Sequence, residues 1–320
     1  RLVIAGQPEG DIKARTLHDG GLVWSFHHRA PFGGSVTITK KIAGISEMAL
    51  AIARDGVLFA IDVASGAKRW EVNLHADSRA PIEVIGDLGL IATVDNKVHA
   101  IGLVKGDVRW TVGRPPASGL TIEGHARPVR FGDTVFASFS DGVAEAYRLS
   151  DGSRIWSTPL ALTGEFVDAD SDPVVVGETV IFSSYSDGLS ALGIADGRPR
   201  WQRPASSIVS VAYDSKKDQI VAASANGDLW GLSGDGTLRF HTRFPRGPIS
   251  RLVLRDRWII FSSGDSGLVV CSSDDGEPLQ ATALGSSALG DIALVGDDLA
   301  VLSSKGFLFA FAYGTPGLVR

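Results

Sequence analysis

Apolar and polar positions alternate along this chain in short bursts, never at helical spacing. The stretch Leu90-Ile91-Ala92-Thr93-Val94, Asp95-Asn96, Val98-His99-Ala100-Ile101-Gly102-Leu103, Gly106 and Val108-Arg109-Trp110 shows the unit: strand, tight turn, strand, turn, strand. Turn signals of the same kind recur as Glu9-Gly10, Asp55-Gly56, Asp95-Asn96, Asp141-Gly142, Asp187-Gly188, Asn226-Gly227, Ser266-Gly267 and Lys305-Gly306. Asp-Gly and Asn-Gly favour tight hairpins because the central residues need positive φ, which Gly, Asn and Asp tolerate best.

A second mark follows each of these turns. A glycine precedes an aromatic by four positions at Gly20/Trp24, Gly66/Trp70, Gly106/Trp110, Gly152/Trp156, Gly197/Trp201 and Gly236/Phe240. Gly276/Gln280 keeps the spacing without the ring, and Gly314 begins an eighth copy. A further strand opens each unit, as in Pro128-Val129-Arg130-Phe131 and Pro173-Val174-Val175-Val176, where proline at a strand's first position removes no ladder donor. Four antiparallel strands per repeat of about 40 residues is the signature of a propeller blade. The predicted fold is therefore all-β: an eight-bladed β-propeller forming a single domain over residues 1–320. Its first copy lacks strand one and its last has at best a short fourth, so residues upstream of Arg1 are expected to complete ring closure. A fixed offset from the turn keeps the aromatics on one face of their strands, so Trp24, Trp70, Trp110, Trp156, Trp201 and Phe240 are expected to pack between neighbouring blades rather than to bind a ligand.

Composition narrows the function. With 38 Gly, 44% apolar and 21% charged residues the chain is ordered, globular and rich in turns. The balance of 31 Lys and Arg against 36 Asp and Glu gives a net charge of -5, with no basic run, which excludes a nucleic-acid partner. Cys271, alone, can form neither an intramolecular disulfide nor a cysteine-based metal site, and in Leu-Val-Val-Cys-Ser it reads as a small buried hydrophobe. No apolar run approaches the ~18 residues of a membrane-spanning helix. Of the seven histidines only His27 and His28 adjoin, and neighbours in a strand face opposite ways, so no metal site is expected. Asp274-Asp275-Gly276 fits hairpin chemistry better than calcium ligation, and Gly234-Asp235-Gly236 lacks the helix and lysine of a phosphate loop. The Ser183-Ser184, Ser262-Ser263 and Ser303-Ser304 pairs recur at strand ends as repeat structure; no nucleophile elbow accompanies them.

The connectors between units differ. From Trp110 to Pro128 is 18 residues and from Trp156 to Pro173 is 17, against 11 from Trp70 to Pro81. Two consecutive long connectors, each running from an outer to an inner strand, raise a patch on one face, and such patches in repeat proteins bind partners. Leu120 and Ile122 supply apolar side chains in the first and Asp168 and Asp170 carboxylates in the second. Read on their own, the aspartates can equally organise a turn through side-chain to backbone bonds, and Leu120 and Ile122 can lie under their own loop.

The Gly-x-x-x-Trp repeats resemble the quinoprotein-like propellers, which include quinone-dependent dehydrogenases and the BamB family of outer-membrane assembly lipoproteins. Within that group the connectors resemble BamB. Leu120-Thr121-Ile122-Glu123-Gly124 leading to Pro128 is similar to the BamB segment of alternating Leu, a charged residue and Gly, and Asp168-Ala169-Asp170-Ser171-Asp172-Pro173-Val174-Val175-Val176 to its Asp-Val-Asp motif running into Pro-Val-Val-Val. The resemblance implies a non-enzymatic scaffold without cofactor or metal, a monomeric propeller at the periplasmic face of the outer membrane. It implies that membrane contact runs only through a lipid anchor outside this sequence. Leu120, Ile122, Glu123, Asp168 and Asp170 would dock onto the periplasmic domains of BamA, with unfolded outer-membrane proteins as further clients. Glu123 stands where the family commonly has Arg. The alternative is a ligand-sensing or cofactor-binding propeller of the same type. A quinone-dependent dehydrogenase ranks third, because those enzymes use a vicinal disulfide that one cysteine cannot form.

Overall fold

In the computed structural model, the structure describes residues 1–115, 126–160, 171–244, 248–264, 267–286, 292–296 and 298–312, and among them there is no helix. The chain divides into two compact units. The first comprises Arg1–Pro173 with Ala195–Gly197, the second Val174–Ile194 with Arg198–Arg320.

Four antiparallel sheets belong to the first unit, each built from strands adjacent in sequence. They are β1 (Leu2–Gly6), β2 (Asp11–Thr16) and β3 (Leu22–His27); β4 (Thr37–Ile38), β5 (Met48–Ile52), β6 (Val57–Asp62) and β7 (Lys68–Asn73); β8 (Glu83–Ile85), β9 (Leu88–Thr93), β10 (Lys97–Gly102) and β11 (Asp107–Gly113); and β12 (Val129–Phe131), β13 (Thr134–Ser138), β14 (Val143–Arg148) and β15 (Arg154–Pro159). The second unit continues with β16 (Val174–Val176), β17 (Thr179–Ser184), β18 (Gly188–Gly193) and β19 (Pro199–Arg203); β20 (Ile208–Asp214), β21 (Gln219–Ser224), β22 (Asp228–Ser233) and β23 (Leu238–Arg243); β24 (Val253–Arg255), β25 (Trp258–Ser263), β26 (Gly267–Ser272) and β27 (Pro278–Thr282); and β28 (Ile292–Val295), β29 (Asp298–Leu302) and β30 (Leu308–Ala312). Among the described residues the first and last sheets thus have three strands and the six between them four.

In the four-stranded sheets the two middle strands are buried on both faces over most of their length, which is why they read as near-continuous apolar runs, whereas β2 of the first sheet and β29 of the last alternate. Met48 to Ile52 is buried at every position, whereas β11 alternates along most of its length. The apolar clusters lie between consecutive sheets. Ile12, Ala14 and Trp24 of the first meet Ala49, Phe59 and Ile61 of the second, and Leu90, Val98 and Trp110 of the third meet Val135 and Tyr147 of the fourth. In the second unit Val221 and Leu229 meet Ile259 and Phe261 in the same way.

Each repeated ring lies against the turn glycine of the following repeat: Trp24 against Gly66, Trp70 against Gly106, Trp110 against Gly152, Trp156 against Gly197, Trp201 against Gly236 and Phe240 against Gly276. Gly152 shows why glycine is needed there, since its φ is +72° and an added Cβ would stand 3.0 Å from the Trp110 indole. The indole N–H also crosses to the next sheet. Trp24 Nε1 donates to Val63 O at 2.8 Å, Trp70 to Leu103 O at 2.9 Å, Trp110 to Leu149 O at 2.9 Å and Trp201 to Gly234 O at 3.3 Å.

A bulge sets this geometry. The register between third and outer strands slips directly after Ala14, Ala60, Ala100, Ala146, Ala191, Gly231 and Val270, the residues facing Trp24, Trp70, Trp110, Trp156, Trp201, Phe240 and Gln280. The extra residue bends the outer strand, and the small partner leaves room beside the ring. Removing one ring should open a cavity that the neighbouring sheet cannot fill. Trp110→Ala is expected to lower unfolding free energy by roughly 3–5 kcal/mol, read as a shift of the denaturant midpoint, while truncating the exposed Val108 costs within about 0.5 kcal/mol.

Candidate partner-binding site at the roots of two long connectors

Leu120, Ile122, Glu123, Asp168 and Asp170 lie outside the described residues. The structure describes the four points where their connectors leave and rejoin the sheets. All four belong to the first unit: the two exits are tied to the fourth sheet and the two returns meet each other.

The first connector leaves β11 through Arg114. Its backbone N–H donates to Asn96 O at 3.0 Å, and Asn96, at positive φ where most repeats carry Gly, receives Ser140 N–H on Oδ1 at 3.1 Å. The Arg114 guanidinium reaches into the fourth sheet, with Nε donating to Asp141 Oδ2 at 2.6 Å and Nη1 to Glu145 Oε1 at 2.8 Å. Glu145 is 1% exposed on β14 and is the acceptor for three further donors: Arg154 Nη1 at 3.1 Å, Ser157 Oγ at 2.8 Å and the Tyr147 hydroxyl. Burial opposes the Arg114 charge, yet Asp141 and Glu145 outweigh it and raise the pKa of the guanidinium further. Burial first, then Glu145, pushes the Tyr147 phenol up, so it stays a hydrogen-bond donor.

The first connector rejoins at buried Ala126, followed by Arg127 and Pro128. The second leaves after β15 at buried Leu160, whose N–H donates to Gly142 O at 2.8 Å, and returns at buried Ser171 and half-buried Asp172. Here the two connectors meet. Arg127 N–H donates to Asp172 Oδ1 at 2.7 Å, and Arg127 Nε stands 3.3 Å from Asp172 Oδ2. The other side of the guanidinium faces β8, with Nη1 3.2 Å from Glu83 Oε2. Arg127 thus sits between two carboxylates, one on each side. Burial raises the pKa of Glu83; Arg127 opposes the rise and Asp172 adds to it.

Neither arginine stands out by periodicity. One signal in the sequence does mark the pair: Arg127 and Asp172 occupy equivalent places, each immediately before the proline that opens a repeat, and carry opposite charges.

The remaining chemistry is structural. His27 pairs with Asp11 at 2.8 Å, His28 with Asp55 at 2.9 Å and His241 with Asp228 at 2.9 Å, while His99 lies between Thr93 and Thr111 hydroxyls. His125 lies outside the described residues. Among the described residues no three His, Cys, Asp or Glu side chains gather as metal ligands. Cys271 is fully buried, and that burial, with Glu277 and Asp275 adding to it, pushes its thiol up to about 12, which leaves it unreactive.

Because Glu83 has a folded-state pKa above its ordinary 4.5, its ionisation costs stability as pH rises past that value. Glu83→Gln should match the wild type near about pH 4 and become the more stable of the two towards neutrality. A wild-type advantage that grows with pH in paired denaturation curves would show instead that the ion pair repays its burial.

The sequence profile of the family described as "PQQ_2: Outer membrane protein assembly factor BamB" matches residues 8–237. Several relatives bear the name outer membrane protein assembly factor BamB, those of Moranella endobia and Yersinia pestis among them. That of Moranella endobia is 25% identical over 293 residues, covering 87% of this chain and 71% of that protein, and that of Yersinia pestis 22% identical over 335, covering 97% and 81%. Among solved structures, BamB from Moraxella catarrhalis superposes with a TM-score of 0.83 at 20% identity, over 98% of this chain and 96% of that one. At that identity the match speaks for the fold, an all-β, eight-bladed propeller as the repeat count predicted.

Proposed function

Because the chain belongs to the BamB family of outer membrane protein assembly factors, we propose that it is a non-enzymatic scaffold of the outer-membrane β-barrel assembly machinery, docking onto the periplasmic domains of BamA. Its work is outer membrane protein assembly, at the periplasmic face of that membrane, held there by a lipid anchor outside this sequence.

The observation that carries the docking surface is the junction of Arg127 with Asp172, which brings the ends of the two longest connectors side by side. Leu120 and Ile122 in one connector offer an apolar anchor; Asp168 and Asp170 in the other offer paired carboxylates. The partner that suits them presents an apolar pocket rimmed by Arg or Lys. Close charge pairs at interfaces couple by ~1.5–7 kcal/mol, against ~0–1 kcal/mol for exposed rim pairs, so the aspartates carry the larger share of specificity.

Asp168→Lys combined with Asp170→Lys should weaken binding to the BamA periplasmic domains at least about tenfold, an effect of ~1.4 kcal/mol, with melting unchanged. Glu123 supplies a finer reading. If it contacts the partner, Glu123→Arg weakens binding; if it is a bystander, affinity stays put. Native affinity in the double Lys variant would place docking elsewhere. As a scaffold, the protein titrated with pyrroloquinoline quinone should show no stoichiometric binding, and a tight one-to-one site would return the quinone reading to first place.

A further inference from the structure

We propose that the outer edge of β3 is an acceptor for an extended segment of an unfolded outer-membrane protein, which joins the first sheet as an added strand. This inference rests on the reading of the chain's work as outer membrane protein assembly, and it leaves the docking of BamA to other residues.

Every outer strand ends its sheet, and along its free edge alternate residues point their N–H and C=O away from the fold. The partner that meets such a row in full is another extended chain, so outer strands differ in how well each edge is guarded. Within the first unit β7 is guarded by Lys68, Arg69 and Glu71, β11 by Asp107 and Arg109, and β15 by Arg154 and a terminal Pro159. β3 reads Leu22-Val23-Trp24-Ser25-Phe26-His27, without Lys, Arg, Asp, Glu or Pro. Its histidine is turned back onto its own sheet, with Nδ1 2.8 Å from Asp11 Oδ1. The contrast is sharpest at the bulge. There β7 and β11 place Arg69 and Arg109, whereas β3 places Val23 beside Leu22, 47% and 55% exposed.

The ladder shows which groups are open. His28 N–H is given to Gly10 O on the side of β2, so by alternation Phe26 turns inward as well, and Ser25 and His27 turn their N–H and C=O outward. The strand is also rigid. Trp24 lies against Gly66 and its Nε1–H reaches Val63 O at 2.8 Å, so β3 offers its edge without first having to be ordered. In the second unit β27 is uncharged too, but Pro278 opens it and Gln280 leaves it without that pin.

The occupant follows from the same features. Strands of outer-membrane barrels alternate apolar and polar side chains and are apolar on the side that comes to face lipid. Laid beside β3, such a strand buries no unpaired charge, sets apolar side chains against Leu22 and Val23, and makes main-chain bonds at Ser25 and His27. A strand rich in Lys or Glu finds no counter-charge on β3 itself.

The test borrows the guard that β7 already carries. Leu22→Lys, Val23→Arg and Ser25→Glu together give β3 the charges of Lys68, Arg69 and Glu71, a pattern this fold accommodates in a sister strand. The probe is a small outer-membrane barrel protein, kept unfolded in urea and diluted into the assay, with binding read by titration and by amide hydrogen exchange. Adding it to the wild type should protect Ser25 and His27 and leave β7, β11 and β15 unchanged. The triple variant should bind it about tenfold more weakly, with melting and BamA binding native. Ser25→Pro, which removes an outward N–H and no bond to β2, should weaken the probe in the same direction without added charge. Protection on another outer strand, or equal affinity in both variants, overturns the proposal. So does protection of Ser25 and His27 in the protein alone, because a second copy or the chain's own residues then already hold the edge. If the probe fails to bind while BamA binds, the β3 edge falls and the docking reading stands; if neither binds, the scaffold reading fails and takes this one with it.

Discussion

The whole architecture depends on one repeated contact: an aromatic ring on an outer strand pressed onto the turn glycine of the next repeat, with its N–H given to a carbonyl beside that turn. The middle strands of the four-stranded sheets are buried on both faces over most of their length, so no such sheet is stable alone and each must be held in register with its neighbour. Apolar packing supplies most of that adhesion but little direction. The indole supplies direction, because its hydrogen bond and its ring edge fix both the height and the tilt of the following turn. Burying ~200 Å² of ring at ~25 cal/mol/Å² contributes roughly 5 kcal/mol as an upper figure, comparable to the net stability of a whole small domain.

Charge enters this apolar framework at few places, and at the fourth sheet it enters deeply. Glu145 stands on β14 at the place held by Phe59 and His99 in the corresponding strands. Glu145 is tolerable there because Arg114, Arg154, Ser157 and Tyr147 donate to its oxygens. An aromatic at that position would leave Arg114 with Asp141 as its only carboxylate among the described residues. The substitution therefore reads as an exchange of plain packing for a fixed exit of the first long connector. Asn96 makes a similar exchange. Where most repeats spend a glycine on positive φ, this hairpin uses a residue that tolerates the angle and has an amide to offer to Ser140.

Much of the fold was legible in the sequence because it is periodic. Turn dipeptides, the Gly-to-Trp offset and the continuous apolar runs each recur, so eight copies reinforce a reading that one copy could not carry. That the first sheet, from β1 (Leu2–Gly6) to β3, and among the described residues the last would each have three strands was legible for the same reason. The bulges were not, because a register slip after Ala100 changes no residue type and only alters which partner Val108 faces. The site was less legible still. Arg114, Glu145 and Arg127 act through one-off contacts between segments distant in sequence, and a single charge in a loop has no pattern to announce it. The unequal connector lengths singled out two connectors, and the structure shows what holds their ends.

The seventh repeat breaks the ring contact in a way that matters for how the chain responds to force or heat. Gln280 stands where the others have an aromatic, and its partner is Val270 rather than Ala or Gly, so the space beside it is filled from within its own sheet. Between the seventh sheet and the eighth, Ile260, Leu268, Ile292, Leu299 and Val301 pack with Trp258, Phe309 and Phe311, contacts that lack the ring-on-glycine pin of the earlier repeats. An array of stacked repeats comes apart at its weakest neighbour-to-neighbour junction. Within the second unit that makes the seam between the seventh and eighth sheets the slip plane, the place where neighbouring repeats part before those pinned by Trp201 and Phe240.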